Sequence, residues 1–206
     1  MRFIFHNHTH SMIKASSVRK TDHSIDKLFL DRWSPRAMSG GEISDAELRV
    51  LFEAARWSPS SYNSQPWRML YARRDTPQWS LLFDLMIEFN QSWTKNAAAL
   101  VLFVSRETFE HNGKPAPTHS FDCGAAWMSL ALQGELKGYV VHGMQGFDYD
   151  RAKTALGIPD GYRVEAMAAI GLPAPKESLS KEMQEREVPS DRKPLAEIVC
   201  EGAFKF

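Results

Sequence analysis

Apolar positions in this chain recur at helical spacing in some stretches and run unbroken in others. Leu48, Leu51, Phe52 and Ala55 follow one another at i, i+3, i+4 and i+7, the stripe of an amphipathic helix. Ser44 and Glu47 stand before them in the S-x-x-E pattern of a capping box, and Pro59 stops the helix after "RWSPSS". The same spacing places Leu82, Leu85, Met86 and Phe89 on one face of a helix from about Gln78 to Phe89. A short helix is predicted in "SIDKLFLDR" from Ser24, and a long apolar one over about 120–136. A further helix in "RAKTALG" is expected to be capped by Asp150 and closed by Gly157 and Pro159.

Between these helices lie apolar runs of strand length: "RMLYA", "AALVLFVS" at residues 98–105, "YVVHGM" and "YRVEAMAAIG". "AALVLFVS" has no polar alternation, so its strand is expected to be covered on both faces. Alternating helices and buried strands make a layered protein of mixed α and β structure. Residues 24–206 read as one domain, long enough to bury a substantial core. Residues 1–23 read as a poorly ordered extension, in which His6, His8 and His10 alternate and "KASSVRKTD" is polar and unpatterned. No metal site is assigned to those histidines. From Lys176 the chain turns charged until "RKPLAEIV", a terminal arm.

Charge and composition narrow the function classes. Acidic and basic residues balance at 25 each, so the basic excess of a nucleic-acid binder is missing. No apolar run is long enough to span a bilayer, and the stretch at the start is too short for a signal peptide. Cys123 and Cys200 are far apart and in no metal-ligand spacing, which favours a reducing compartment without disulfides. A cytoplasmic location is the expectation. No G-x-G-x-x-G follows a strand, and neither G-x-x-x-x-G-K-[ST] nor H-E-x-x-H occurs, so Rossmann, P-loop and zincin readings lose their main support.

Three polar clusters remain. In "DRWSPR", Arg32, Ser34 and Arg36 alternate, so an extended segment points all three to one side. Such a pair of guanidiniums with a hydroxyl suits a phosphate or carboxylate, though an exposed loop with surface ion pairs fits equally. In "RWSPSSYNSQPWR", two prolines stiffen a run of hydroxyls and amides between two tryptophans. Those groups suit the donor and acceptor edge of a flat heterocycle; a capped turn anchored by Trp67 is the plainer alternative. In "HGMQGFD", Gly143 and Gly146 bracket Met144 and Gln145 after a buried strand, allowing close approach of backbone N–H groups or simply a turn.

Taken in order, "RWSPR", "WSPSSYNSQPWRMLYA", "GMQGFD" and "SDRKPLAEIV" resemble the FMN-dependent nitroreductase family, from about Leu28 to Val199. The resemblance implies an α+β fold, a three-layer α/β/α sandwich around a mixed, mainly antiparallel sheet. It also implies an intertwined homodimer with FMN at the subunit interface. Arg32, Ser34 and Arg36 match the segment that grips the FMN phosphate and the polar edge of the ring, with Trp33 contributing backbone. Ser60, Ser61, Asn63 and Gln65 match the segment that reaches the partner's flavin, and Tyr62 falls where a substrate-facing residue stands. Asn90 matches a flavin-contacting Asn. Gly143, Met144, Gln145 and Gly146 match the segment over the isoalloxazine face, with the Gly146 N–H near flavin N5. Arg192 matches a phosphate-binding Arg. Gln145 departs from a frequent Glu, and Ser190 from a frequent Lys.

The activity this implies is hydride transfer from NADH or NADPH to FMN, then reduction of a nitroaromatic, quinone or similar small acceptor in the same pocket, a ping-pong scheme. The protein's part is to bind, orient and tune the flavin. No side chain stands out as catalytic acid or base; Cys123 and His142 read as packing residues. Enal reduction, dehalogenation, flavin breakdown and non-enzymatic flavin binding are the competing readings.

Overall fold

The computed structural model describes residues 14–206. His6, His8 and His10 lie outside the described residues. The apolar runs form four strands: β1 (Trp67–Arg73), β2 (Ala99–Arg106), β3 (Val140–Met144) and β4 (Tyr162–Gly171). They make one sheet in the order β1-β2-β4-β3. β2 lies between β1 and β4, and every residue from Ala99 to Ser105 is buried, as the unbroken apolar run requires.

Side chains alternate across the sheet and feed two cores. Leu100, Leu102 and Val104 point into one, with Leu82, Trp93 and Ala152. Those three come from α3 (Trp79–Phe83), α4 (Glu88–Thr94) and α6 (Tyr149–Ala155). Val101 and Phe103 point into the other, packed under Leu48 and Leu51 of α2 (Asp45–Arg56) and Ala126 and Leu130 of α5 (His119–Leu136). Helices thus cover both faces, the three-layer α/β/α arrangement expected. All three strand pairings are antiparallel. The parallel component of the expected mixed sheet is absent among the described residues, because β3 pairs with β4 rather than with β2.

α2 follows its sequence signals closely. The Ser44 hydroxyl accepts from Glu47 N at 3.2 Å, and Leu48 and Leu51 are fully buried. Burying each is worth about 2 kcal/mol in transfer free energy. The helix expected at 78–89 is instead broken into α3 and α4. Between them Met86 bridges Phe147, Ile87 N donates to Gly146 O (3.1 Å) and Asp148 N donates to Leu85 O (2.9 Å). Tertiary pairing with the turn after β3 therefore outcompetes the helical hydrogen bonds there. Phe89, expected on the buried face, is exposed.

Two caps also differ. α1 (Lys27–Asp31) starts at Asp26, whose carboxylate accepts from Leu28 N, rather than at Ser24. Asp148, not Asp150, caps α6 by accepting from Arg151 N at 2.9 Å. The charged segment after β4 holds a short α7 (Lys181–Glu185) and an otherwise irregular arm.

Candidate active site

Beyond α1 the chain turns extended at Arg32. Two anchors fix this loop. Glu187, 4% exposed, accepts from Arg36 N (2.6 Å) and Ala37 N (2.8 Å). From the other side His142 Nδ1 lies 2.9 Å from Pro35 O, with its ring centroid 4.6 Å from that of Trp93. Burial pushes the His142 pKa down to about 4, with the Arg36 and Arg32 charges acting in the same direction. The ring is therefore neutral near pH 7. Facing a carbonyl oxygen, its Nδ1 carries the proton and donates.

Arg32 Nη1 approaches Ser34 Oγ at 3.5 Å. The Arg36 side chain instead lies over Phe89 and 3.9 Å from Glu187 Oε2. Trp33 Nε1 and Arg36 Nε are buried without a hydrogen-bond partner among the described residues. Such donors are costly to leave unpaired, and a ligand's oxygens would satisfy them.

The corner at 60–66 is a strained shelf. Tyr62, Asn63 and Gln65 all have positive φ, at 52°, 52° and 47°. For side-chain-bearing residues this costs about 1 kcal/mol each. Hydrogen bonds hold it: Gln65 N donates to Ser60 Oγ (3.0 Å), Gln65 Nε2 to Asn63 O (3.0 Å) and Ser61 N to buried Asp122 Oδ2 (3.1 Å). Trp67, 6% exposed, roots the far end in the core. Tyr62 is 83% exposed and meets Phe109 edge-on, with ring centroids 5.5 Å apart.

After β3 the turn at Gly146 is built around a close approach. Gly146 O accepts from Asn90 Nδ2 (3.0 Å) and Ile87 N (3.1 Å). A Cβ at Gly146 would stand 2.6 Å from Asn90 Nδ2 and 2.8 Å from Ile87 Cδ1, so only glycine fits. The Gly146 N–H has no hydrogen-bond partner among the described residues. Gly143 backs onto Trp127, which a Cβ would meet at 3.0 Å. Gly143, Met144 and Gln145 line a cleft of ≈ 460 Å³ with Trp127, Cys123 and Glu165. That volume is within the ordinary range for small-molecule sites, roughly 300–1,000 Å³.

A polar cluster unforeseen in the sequence borders the cleft. Glu165 Oε1 accepts from Ser105 Oγ and from Ser120 Oγ (2.7 Å), and His119 Nδ1 lies 2.7 Å from Ser105 Oγ. Its signal was one carboxylate inside the apolar run "YRVEAMAAIG", since a half-buried charge needs partners. Cys123 is buried, and burial, with the Glu165 and Asp122 charges adding, pushes its thiol up to about 12. It packs as a small apolar residue, as expected from sequence.

The structure therefore joins Asn90 to Gly146, Arg32 to Ser34, and the Arg32–Arg36 loop to β3 through His142. Arg192 folds onto its own segment, donating to Ser190 Oγ at 3.1 Å. Among the described residues no hydrogen bond joins the 60–66 shelf to either the Gly146 turn or the Arg32 loop. The sequence profile of the nitroreductase family matches residues 30–78, which contain the Arg32 loop and the shelf. A solved oxidoreductase containing FMN is 49% identical and superposes with a TM-score of 0.87, the match covering 91% of this chain and 96% of that one.

The chain belongs to the nitroreductase family. Other similar proteins align at lower identity. An NADH dehydrogenase of Thermus thermophilus is 28% identical, with 82% of this chain and 92% of that protein aligned. A nitroreductase family protein of Streptococcus pneumoniae shares the fold at 20% identity and a TM-score of 0.68, covering 85% of this chain and 98% of its own. Within this nitroreductase fold no helix among the described residues is long and apolar enough to cross a membrane.

Proposed function

We propose that this chain is an FMN-dependent oxidoreductase that uses NADH or NADPH to reduce nitroaromatic, quinone or similar small acceptors. The observation that carries this reading is the 49% identity, over nearly the whole length, to an oxidoreductase that contains FMN. The residues fit that cofactor. Buried, unpaired Trp33 Nε1 and Arg36 Nε and the unengaged Gly146 N–H offer donors to a ligand rich in oxygen and nitrogen acceptors.

When bound, FMN supplies the hydride and electron chemistry of the reaction. The protein's own groups do the rest. Arg32, Ser34, Arg36 and Arg192, with Ser190 beside it, hold the phosphate and the polar edge of the ring, and Trp33 adds backbone. Arg32 and Arg36 would hold positive charge beside that edge, where it would favour negative charge on the ring. Gly143, Met144 and Gln145 would line the ring's pocket, and Asn90 fixes the turn that leaves the Gly146 N–H available to the flavin. Ser60, Ser61, Asn63 and Gln65 serve the site of a second copy in a homodimer, and Tyr62 meets the acceptor there. Nicotinamide and acceptor use one pocket in turn, which gives ping-pong kinetics.

The purified protein is expected to be yellow and to bleach on adding NADH or NADPH under nitrogen; an unchanged spectrum overturns the proposal. An acceptor panel then separates nitro and quinone reduction from enal reduction or dehalogenation. Arg32→Ala with Arg192→Ala should give flavin-poor protein that still melts cooperatively, and full flavin retention would remove these side chains from the phosphate site. A flavin-loaded monomer in sedimentation would end the shared-site arrangement.

A further inference from the structure

Residues 14–23 carry one side chain that the reading above does not use. Arg19 Nη1 donates to Leu30 O (2.5 Å) and Arg32 O (3.0 Å), while its Nε donates to Ser190 O (3.1 Å). A single guanidinium thus joins the backbone of Arg32 to the backbone two residues before Arg192. Arg192 Nη1 reaches the same Ser190 oxygen at 3.3 Å. The stretch bearing Arg19 is itself docked. Ala15 is fully buried, and Ser16 N donates to Asp31 Oδ1 at 2.9 Å.

Three guanidiniums and three carboxylates crowd this junction. Burial holds the Arg19 and Arg32 guanidiniums below their ordinary value. Arg192 lowers both further, and Arg19 also lowers Arg32. Against them stand Asp31 and Asp191 near Arg19, and Glu135 near Arg32. Burial and the Asp31 charge raise Glu135, while Arg32 and Lys14 lower it. Arg19 Nη2 is buried and has no hydrogen-bond partner among the described residues. Guanidiniums gathered on two bridged segments, one of them with an unspent buried donor, suit an anion with several acceptor oxygens.

We propose that Arg19 is a positioning residue of the phosphate site, locking the Arg32 and Ser190–Arg192 segments at one separation and adding a third positive charge beside the bound phosphate monoester. This rests on the FMN reading above. The ligand class is a terminal phosphate monoester, which has the charge and the several acceptor oxygens that three arginines can share. A neutral flavin with a free ribityl hydroxyl in its place gains little from the same groups.

The test loads the purified full-length protein with FMN or with riboflavin, which lacks the phosphate, and follows flavin release on dilution by recovery of flavin fluorescence. Arg19→Ala is expected to weaken FMN retention about 10- to 100-fold, the range for a lost charge-assisted contact, with riboflavin changed less than about 2-fold. Arg19→Lys, which keeps charge without the fork, should fall between wild type and Arg19→Ala for FMN. Unchanged FMN retention in both variants overturns the proposal. Equal losses for FMN and riboflavin also overturn it, because they mark general loosening of the fold. Wild-type protein that holds riboflavin as tightly as FMN would instead overturn the phosphate reading beneath it.

Discussion

Acid should weaken this protein through His142. In the folded chain the ring is pushed down to about 4 from its ordinary 6.5, chiefly by burial, and the unfolded chain restores the ordinary value. Between those values the unfolded state binds more protons, so stability is lost as pH falls through the window and is fully present above it. Each pH unit of the gap is worth about 1.4 kcal/mol, so moving from about pH 7 to about pH 5 removes ~2 kcal/mol. The assay is urea unfolding at both pH values for wild type and His142→Asn. The variant gives up packing against Trp93 at either pH, and that loss cancels when the pH dependence alone is compared. Wild type is expected to lose about 2 kcal/mol more than His142→Asn across this interval. Equal losses in the two proteins would refute the assignment of a buried, neutral imidazole at this position.

Gly146→Ala sets a Cβ 2.6 Å from Asn90 Nδ2 and should cost about 1–3 kcal/mol of stability, together with weaker flavin retention. Thermal melts and flavin content check both, and a wild-type melt would show that the turn opens freely. Glu187→Ala orphans the Arg36 and Ala37 N–H groups and should cost roughly 2–4 kcal/mol, whereas Glu187→Gln, which keeps an acceptor oxygen, should recover part of it in the same unfolding assay.

Sequence was legible where local chemistry alone decides structure. Ser44 and Glu47 cap α2 as their spacing says, and the unbroken apolar run of β2 sits mid-sheet. It failed where partners arrive from far along the chain. Nothing near Leu85 and Ile87 announces that Asp148 and Gly146 will take their backbone groups, so the periodicity predicts one helix where two short ones stand. Asp148 and Asp150 are equally good caps in isolation; the pairing of Asp148 N with Leu85 O places the former at the helix start. The site was legible as motifs, but its supports were not. Glu187, Glu165 and Arg19 each bond a residue at least 60 positions away, and no local pattern marks them.

The strand order has a consequence for how the chain comes together during synthesis. β4 lies between β2 and β3 although it is made after both, and among the described strands it is the one with which β3 pairs. Until residues 162–171 leave the ribosome, β1 and β2 can form a ribbon, but the inner edge of β2 stays open and β3 has nowhere to dock. That edge is among the most apolar backbone in the molecule and would pair readily with another nascent chain. Vectorial synthesis therefore leaves this protein most prone to aggregate just before β4 emerges, and the arrival of that single strand closes the sheet in one step.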